Sequence, residues 1–164
     1  MNEMTVDTYS PSDVKLSFGG YTIVGWEEIS IERRSPSFIP VAGIRGKHTR
    51  VATQDTAATI SISLLQTSPS NDILSEVHRQ DIINGTGRLT LTLKDYSGRS
   101  VFSSDEAYIL GYPAAGYSSG FEYRVWSVFC QTTSNYKVGG NTRPETSLVD
   151  SIINGVRGIS GNIF

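Results

Sequence analysis

Charge is what this sequence has least of. Only 18% of its 164 residues are Asp, Glu, Lys or Arg, against roughly 25% in an ordinary soluble domain. That small share is balanced, 14 basic residues against 16 acidic, for a formal net charge of −2. A general nucleic-acid binder carries a basic excess, so the balance argues against that activity. It leaves room for a protein that DNA passes without sticking. Cysteine is almost missing. Cys130 stands alone, which excludes an intramolecular disulfide and a Cys-based zinc site. Its expected role is that of a small buried apolar residue. No apolar run approaches the ~20 residues that a membrane-spanning helix needs, so no membrane partner is expected. The start, MNEMTVDTYSPSD, is acidic and polar without the apolar stretch of a signal peptide, and assembly in a cytoplasm is expected.

Catalytic motifs are missing too. Neither a phosphate-cradling G-x-x-x-x-G-K-[ST] nor a GxGxxG occurs. The two histidines, His48 and His78, stand outside any H-E-x-x-H spacing. His78 is expected to be solvated or hydrogen-bonded on a helix flank. Glu27-Glu28 and Asp105-Glu106 are carboxylate pairs in sequence. Neighbours in a strand point to opposite faces, so neither pair can flank one substrate as acid and base. Cys130 sits in an apolar strand, where a thiolate is disfavoured. The expectation is no enzyme, no catalytic residue, no metal and no cofactor. A hydrolase built on Cys130 or on a carboxylate pair is the weakest alternative.

What the chain does have is alternation. In TISISLLQT (59–67) and RLTLTLK (88–94) every second residue is a large aliphatic, and almost all the others are Ser or Thr. That period of two reads as strands with one buried face. Ile60, Ile62, Leu64, Leu89, Leu91 and Leu93 are expected in the core, with Thr59, Ser61, Ser63, Thr90 and Thr92 on the opposite face. Arg88 and Lys94 flank the second strand on its hydroxyl side. VKLSF (14–18) alternates likewise, and Gly19-Gly20 is a hairpin turn signal before YTIVGW (21–26). ISIERR (29–34) alternates and ends in charge. AYILGY (107–112) reads as a strand stopped by Pro113. FEYRVWSVFCQTT (121–133) carries apolar residues on both faces and is expected to be buried on both sides. SPSNDILSEVHRQDIIN is the one strong helix, over 69–84. Ser68 suits its N-cap, Pro69 its first position and Gly85 its C-terminal cap. Ile73, Leu74 and Val77 form its apolar stripe.

Residues 35–55 differ in character. Pro36, Pro40, Gly43 and Gly46 alternate with Phe38, Ile39, Val41 and Ile44. Arg33, Arg34, Arg45, Lys47 and Arg50 fall between positions 33 and 50 with no acid among them. So long a segment without regular structure is unusual in a compact domain. Its apolar content opposes disorder, and mixed apolar and charged residues suit a protein interface. The segment is read as an extended arm that orders against another subunit. Stacking residues for single-stranded nucleic acid are scarce in it, Phe38 being its one aromatic. The whole is read as a mainly β fold, a β-sandwich or rolled barrel with one flanking helix, over residues 13–141. Residues 1–12 are a flexible lead and 142–164 a C-terminal extension, where SLVDSIING could form a short amphipathic helix.

The run SIERRSPSFIPVAGIRGKHTRVATQDTAATISISLLQTSPSNDILSEVHRQD, with GRLTLTLKDYSG and the VGGN of 138–141, resembles the tail tube proteins of contractile-tailed bacteriophages. LLQTSPSNDILS (64–75) is the most specific part, and the resemblance covers roughly residues 9–141. It implies homohexameric rings stacked into a tube, with a continuous inner β-barrel. It implies as partners the tail sheath, the tape measure protein, the baseplate hub and the tail terminator. Genomic DNA would pass in transit without specific binding, and the protein would reside in the virion tail. Six subunits giving about four strands each make a ring about 48 Å across, and side chains of about 5 Å on each wall leave a bore near ~38 Å, wide enough for duplex DNA. A Lys/Arg-lined bore would hold a polyanion through counterion release. Thr59, Ser61, Ser63, Thr90 and Thr92 are therefore expected on the lumen. Phe38, Ile39, Val41, Ile44, Arg45, Lys47 and Arg50 are expected in contacts between subunits or rings. A carbohydrate- or receptor-binding β-sandwich is the alternative, with Tyr112 and Tyr117 as its candidates. A secretion-type tube shares the architecture.

Overall fold

The computed structural model describes residues 8–140. The extension 142–164, with SLVDSIING, lies outside them. The described residues form one large antiparallel sheet, one α-helix and one separate hairpin, with a short 3-10 turn at Pro11–Asp13. β1 (Val14–Phe18) turns through Gly19-Gly20 into β2 (Tyr21–Thr22). Both glycines have positive φ, 61° and 86°, as the tightest hairpin turns require. A Cβ on Gly19 would also lie 2.7 Å from the Leu89 side chain. β2 is shorter than the expected 21–26, because the chain breaks at Gly25 (φ 71°) and starts β3 (Trp26–Arg33). β4 (Phe38–Ala42) and β5 (His48–Ala52) pair only with each other. β6 (Ala58–Leu65), β7 (Leu89–Asp95), β8 (Val101–Ile109), β9 (Tyr123–Cys130) and β10 (Asn135–Lys137) complete the set.

The large sheet runs β2-β1-β7-β8-β9-β6-β3, with β10 joining β8. It rolls on itself. Trp26, Ile29 and Ile31 of β3 line a cavity of about 410 Å³ together with Leu93, Phe102 and Tyr136 from strands at the far side of the order. The interior of the roll is the core. Ile60, Ile62, Leu64, Leu91, Leu93, Phe102, Trp126, Val128 and Cys130 are all buried there. β6 alternates without a break: Ala58, Ile60, Ile62 and Leu64 are buried, and Thr59, Ser61, Ser63 and Leu65 are half-exposed. β9 differs from the expectation of two buried faces. Arg124, Trp126, Val128 and Cys130 are buried, whereas Tyr123 and Val125 are exposed. Among the described residues, none covers Tyr123 and Val125 on the second face.

α1 (Ser70–Asn84) crosses the roll through Leu74, His78 and the half-buried Val77. Ile73, expected in the apolar stripe, is exposed. His78, expected on the flank, is buried edge-on against Tyr112, with ring centroids 4.6 Å apart. Ser68 precedes the helix start by two residues and ties it down. Its Oγ accepts from Ser70 N at 3.2 Å and donates to Val24 O at 2.6 Å. Ser70 Oγ accepts from Val24 N at 2.9 Å. Asn71 donates to Leu65 O at 2.9 Å and accepts from Trp126 Nε1 at 3.0 Å. The SPSN segment thus joins β6, the β2–β3 connection, the helix and the core tryptophan, and satisfies buried polar groups that would otherwise be costly. Gly85 closes the helix in the left-handed region (φ 67°), its N–H bonded to Asp81 O.

The alternation sets an expected outcome. Ile62→Ala removes a wholly buried side chain and should cost about 2–5 kcal/mol. Ser61→Ala, one residue away on the other face, should stay within ~0.5 kcal/mol. Guanidinium chloride unfolding of the two variants checks this.

Candidate functional site

Two surfaces are unusual for a lone domain. The first is the outer face of the rolled sheet. Register puts Glu28, Ser30 and Glu32 of β3 opposite Ser63, Ser61 and Thr59 of β6. β9 continues this face with Val125, Ser127 and Phe129 opposite Ser63, Ser61 and Thr59. Glu28, Ser30, Ser61, Ser63 and Val125 enclose one shallow depression there. The face therefore carries carboxylates as well as hydroxyls. The two acids could not be assigned to it from sequence, because strand register across 24 intervening residues is not a local property. On the far half, Thr92 lies opposite Ser17 and Ser103, and Lys94 opposite Lys15 and Val101. Lys94 and Arg88 are exposed, and Lys94 Nζ stands 4.8 Å from the Tyr96 ring centre. β8 and β9 separate β6 from β7. The two hydroxyl ribbons are accordingly not neighbours in the sheet.

The second surface is residues 35–55. The segment read as an arm without regular structure is a β-hairpin. Pro40 and the two glycines hid its strands from a reading by local preference. Pro40 is tolerated because β4 is an edge strand. Ile39 lies opposite Val51, and Val41 opposite Thr49, making one apolar face. Phe38, Pro40 and Ala42 pair with Ala52, Arg50 and His48 on the other. The Arg50 guanidinium lies 4.1 Å above the Phe38 ring. Every residue of both strands is exposed, and Ile44 at the turn is wholly so. Arg45 and Lys47 share that turn and are exposed. At the hairpin root, Arg34 meets Asp55 at 3.9 Å, and Asp55 accepts from Ser35 Oγ and Ala57 N.

The Cys130 thiol is pushed up from 9.0 to about 11 by burial. Glu27 is the extra residue of a β-bulge between Trp26 and Glu28, and both acids are exposed. Asp105 and Glu106 are exposed at the irregular middle of β8. Among the described residues no cluster of three or more His, Cys, Asp or Glu could hold a metal. No helix among them is long and apolar enough to cross a membrane. Tyr112 leans on His78 and stands 6.4 Å from Trp126, and Tyr117 lies 5.1 Å from the Arg124 guanidinium.

A known relative decides the family. The chain is 33% identical over 156 residues to structural protein ORF10 of Pseudomonas phage KPP10, covering 88% of this chain and 90% of the relative. It belongs to that family of bacteriophage structural proteins. No protein-family model matches it. Its fold recurs in solved tail structures. The sheath/tube terminator of the PVC extracellular contractile injection system matches 77% of this chain and 94% of its own, with a TM-score of 0.57 and 13% identity. The tube-terminating cap of the anti-feeding prophage matches 83% and 97%, at TM-score 0.57 and 12% identity. A chain in the tail of an empty GTA particle, refined helically with C6 symmetry, matches 80% and 100%, at TM-score 0.57 and 15% identity. The resemblance to phage tail proteins and the mainly β fold with one helix read from the sequence agree with these relatives.

A buried thiol gives a direct check. Native protein should resist thiol labelling at neutral pH, and unfolded protein should label fully. Because the folded value lies above the ordinary one, the Cys130 contribution to stability is present below pH 9 and declines as pH rises toward 11. Rapid labelling of the native state would contradict the buried assignment.

Proposed function

We propose that this chain is the subunit of a phage tail tube, built of hexameric rings stacked end to end, whose bore conducts the genome at ejection. The observation that carries the reading is the pairing of an uncovered hydroxyl and carboxylate sheet face with a projecting hairpin, both on one small domain. A continuous barrel gives the sheet edges of each subunit partners in its neighbours and removes a liability of the isolated chain. β3, β6, β9 and β8 are the four strands that each subunit gives to the barrel. Their outer face, with Thr59, Ser61 and Ser63 beside Ser30, Glu28 and Glu32, lines the lumen. Carboxylates repel a polyanion and hydroxyls hold water, so the wall offers DNA no counterion release. Thr90 and Thr92 lie among Lys15, Arg88 and Lys94 and make the poorer lining; we assign them to the flank. The C6 symmetry of the similar GTA tail supports the hexamer.

The hairpin makes the contact between subunits or rings. Ile39, Val41, Val51, Phe38 and Ile44 bury apolar area against the neighbour, and Arg45, Lys47 and Arg50 pair with its acids. The hairpin leaves the sheet where β3 ends and β6 begins, while Glu27, Glu28 and Glu122 stand at the opposite end of the same strands. Stacking in one direction brings the basic end of one copy to the acidic end of the next. The tail sheath outside and the tape measure protein within are the further partners, with the baseplate hub and tail terminator at the two ends. A tube terminator is the second reading, favoured by the two terminator and cap structures that share the fold. Copy number per virion separates them: many rings for a tube, one for a terminator.

Two experiments test the tube. Replacing residues 38–52 by a short Gly-Ser link should leave a folded monomer or single ring and abolish long tubes in negative-stain micrographs. Tubes of normal length from that deletion would rule out the assembly role of the hairpin. Ser61→Arg with Ser63→Arg should preserve tubes but slow genome ejection by about tenfold or more at low salt, with recovery as salt rises. Unchanged ejection would remove β6 from the lumen.

A further inference from the structure

Arg124 is an anomaly. Its side chain lies on the core side of β9 and is only 8% exposed. Nη2 donates to Gly116 O at 3.0 Å and the guanidinium faces the Tyr117 ring. Nη1 is buried without a hydrogen-bond partner. Among the described residues, no carboxylate stands within ion-pair distance of it. Glu122, two residues earlier in the chain, accepts instead from Ser118 Oγ at 3.1 Å. A buried cation left unneutralised is costly, and native structures seldom keep one.

The guanidinium lines a cavity of about 520 Å³, with Gln66, Asn71, Ser75, Tyr112 and Tyr117 around it and no acidic residue in its wall. Gln66 uses Oε1 to accept from Glu122 N, which leaves its amide NH₂ as a donor. Ser75 adds a hydroxyl. One full positive charge among neutral donors suits a monoanion, and the planar guanidinium fork matches a carboxylate.

We propose that this cavity receives a carboxylate from a neighbouring copy of the chain, supplied by Asp105 or Glu106; the inference rests on the tube reading above. Both acids are exposed and make no ion pair among the described residues. They sit at the opposite end of β9 from Arg124: Glu106 O accepts from Gln131 N, whereas Arg124 pairs with Leu64. The separation along the strand is about 23 Å. Stacking in one direction brings those two ends together: the hairpin end, whose exposed basic residues lie beyond Asp105 and Glu106, meets the end where Arg124 lies behind the exposed Glu27 and Glu28. The contact neutralises the Arg124 guanidinium.

Cysteine cross-linking tests the contact. Tubes of the Ser75→Cys, Glu106→Cys double variant should give a ladder of disulfide-linked oligomers on oxidation, and each single variant should not. Intact tubes without a ladder overturn the proposal. Arg124→Gln, and Asp105→Asn with Glu106→Gln, should each raise the critical concentration for assembly about thirty-fold or more. Melting of the unassembled variants confirms that they fold. The combined variant should be no worse than either alone, and losses that add would show that the groups do not pair. Acetate is the probe for a free ligand. If it stabilises the wild-type monomer while the Asp105 and Glu106 variants assemble normally, the socket serves a small carboxylate and the neighbour assignment falls. If the wild-type chain forms no tubes at all, the tube reading fails and this inference fails with it.

Discussion

The pairing of β6 between β3 and β9 is the constraint on which the other features depend. An antiparallel ladder fixes the facing of every residue once a single pair is set. With Ile62 held opposite Ile29 and Trp126, the aliphatics of three strands meet in the roll. Ser61 must then lie beside Ser30 and Ser127 on the other side. A slip of one residue would exchange the faces and expose the core. The Ser68–Asn71 segment reinforces the pairing, because Asn71 bonds both the last residue of β6 and the indole of β9.

That constraint leaves the domain incomplete in a particular way. The described residues bury one sheet face and the inner side of the helix, and they leave no layer over the outer face of β9. Tyr123 and Val125 remain exposed for that reason. The hairpin is in the same position: two strands that touch only each other, apolar on one side. The chain belongs to a family of phage structural proteins, and its fold recurs in a chain of a GTA tail.

What could be read in the sequence was what neighbouring residues decide. The period of two in TISISLL, the Gly19-Gly20 turn and the helix with its Gly85 cap depend on local spacing and local backbone needs. The misses depend on distance. Pro40, Gly43 and Gly46 disguise β4 and β5, although Phe38, Ile39 and Val41 favour a strand. Glu28 and Glu32 join the hydroxyl face only through the β3–β6 register. His78 looked like a flank residue until Tyr112, brought in by the connection after β8, closed over it. The Arg124 socket is formed by β9, the helix and the 111–120 connection together, and no single window of sequence contains it.

The unsupported hairpin would also govern how growth begins in the tube proposed above. A two-stranded ribbon alone in water is marginal, so in such a tube docking would have to supply the energy that keeps it ordered. A free subunit meeting another free subunit would offer it no finished surface to settle on, whereas the end of a completed ring would. Polymerisation of that kind would be slow to nucleate and quick to elongate.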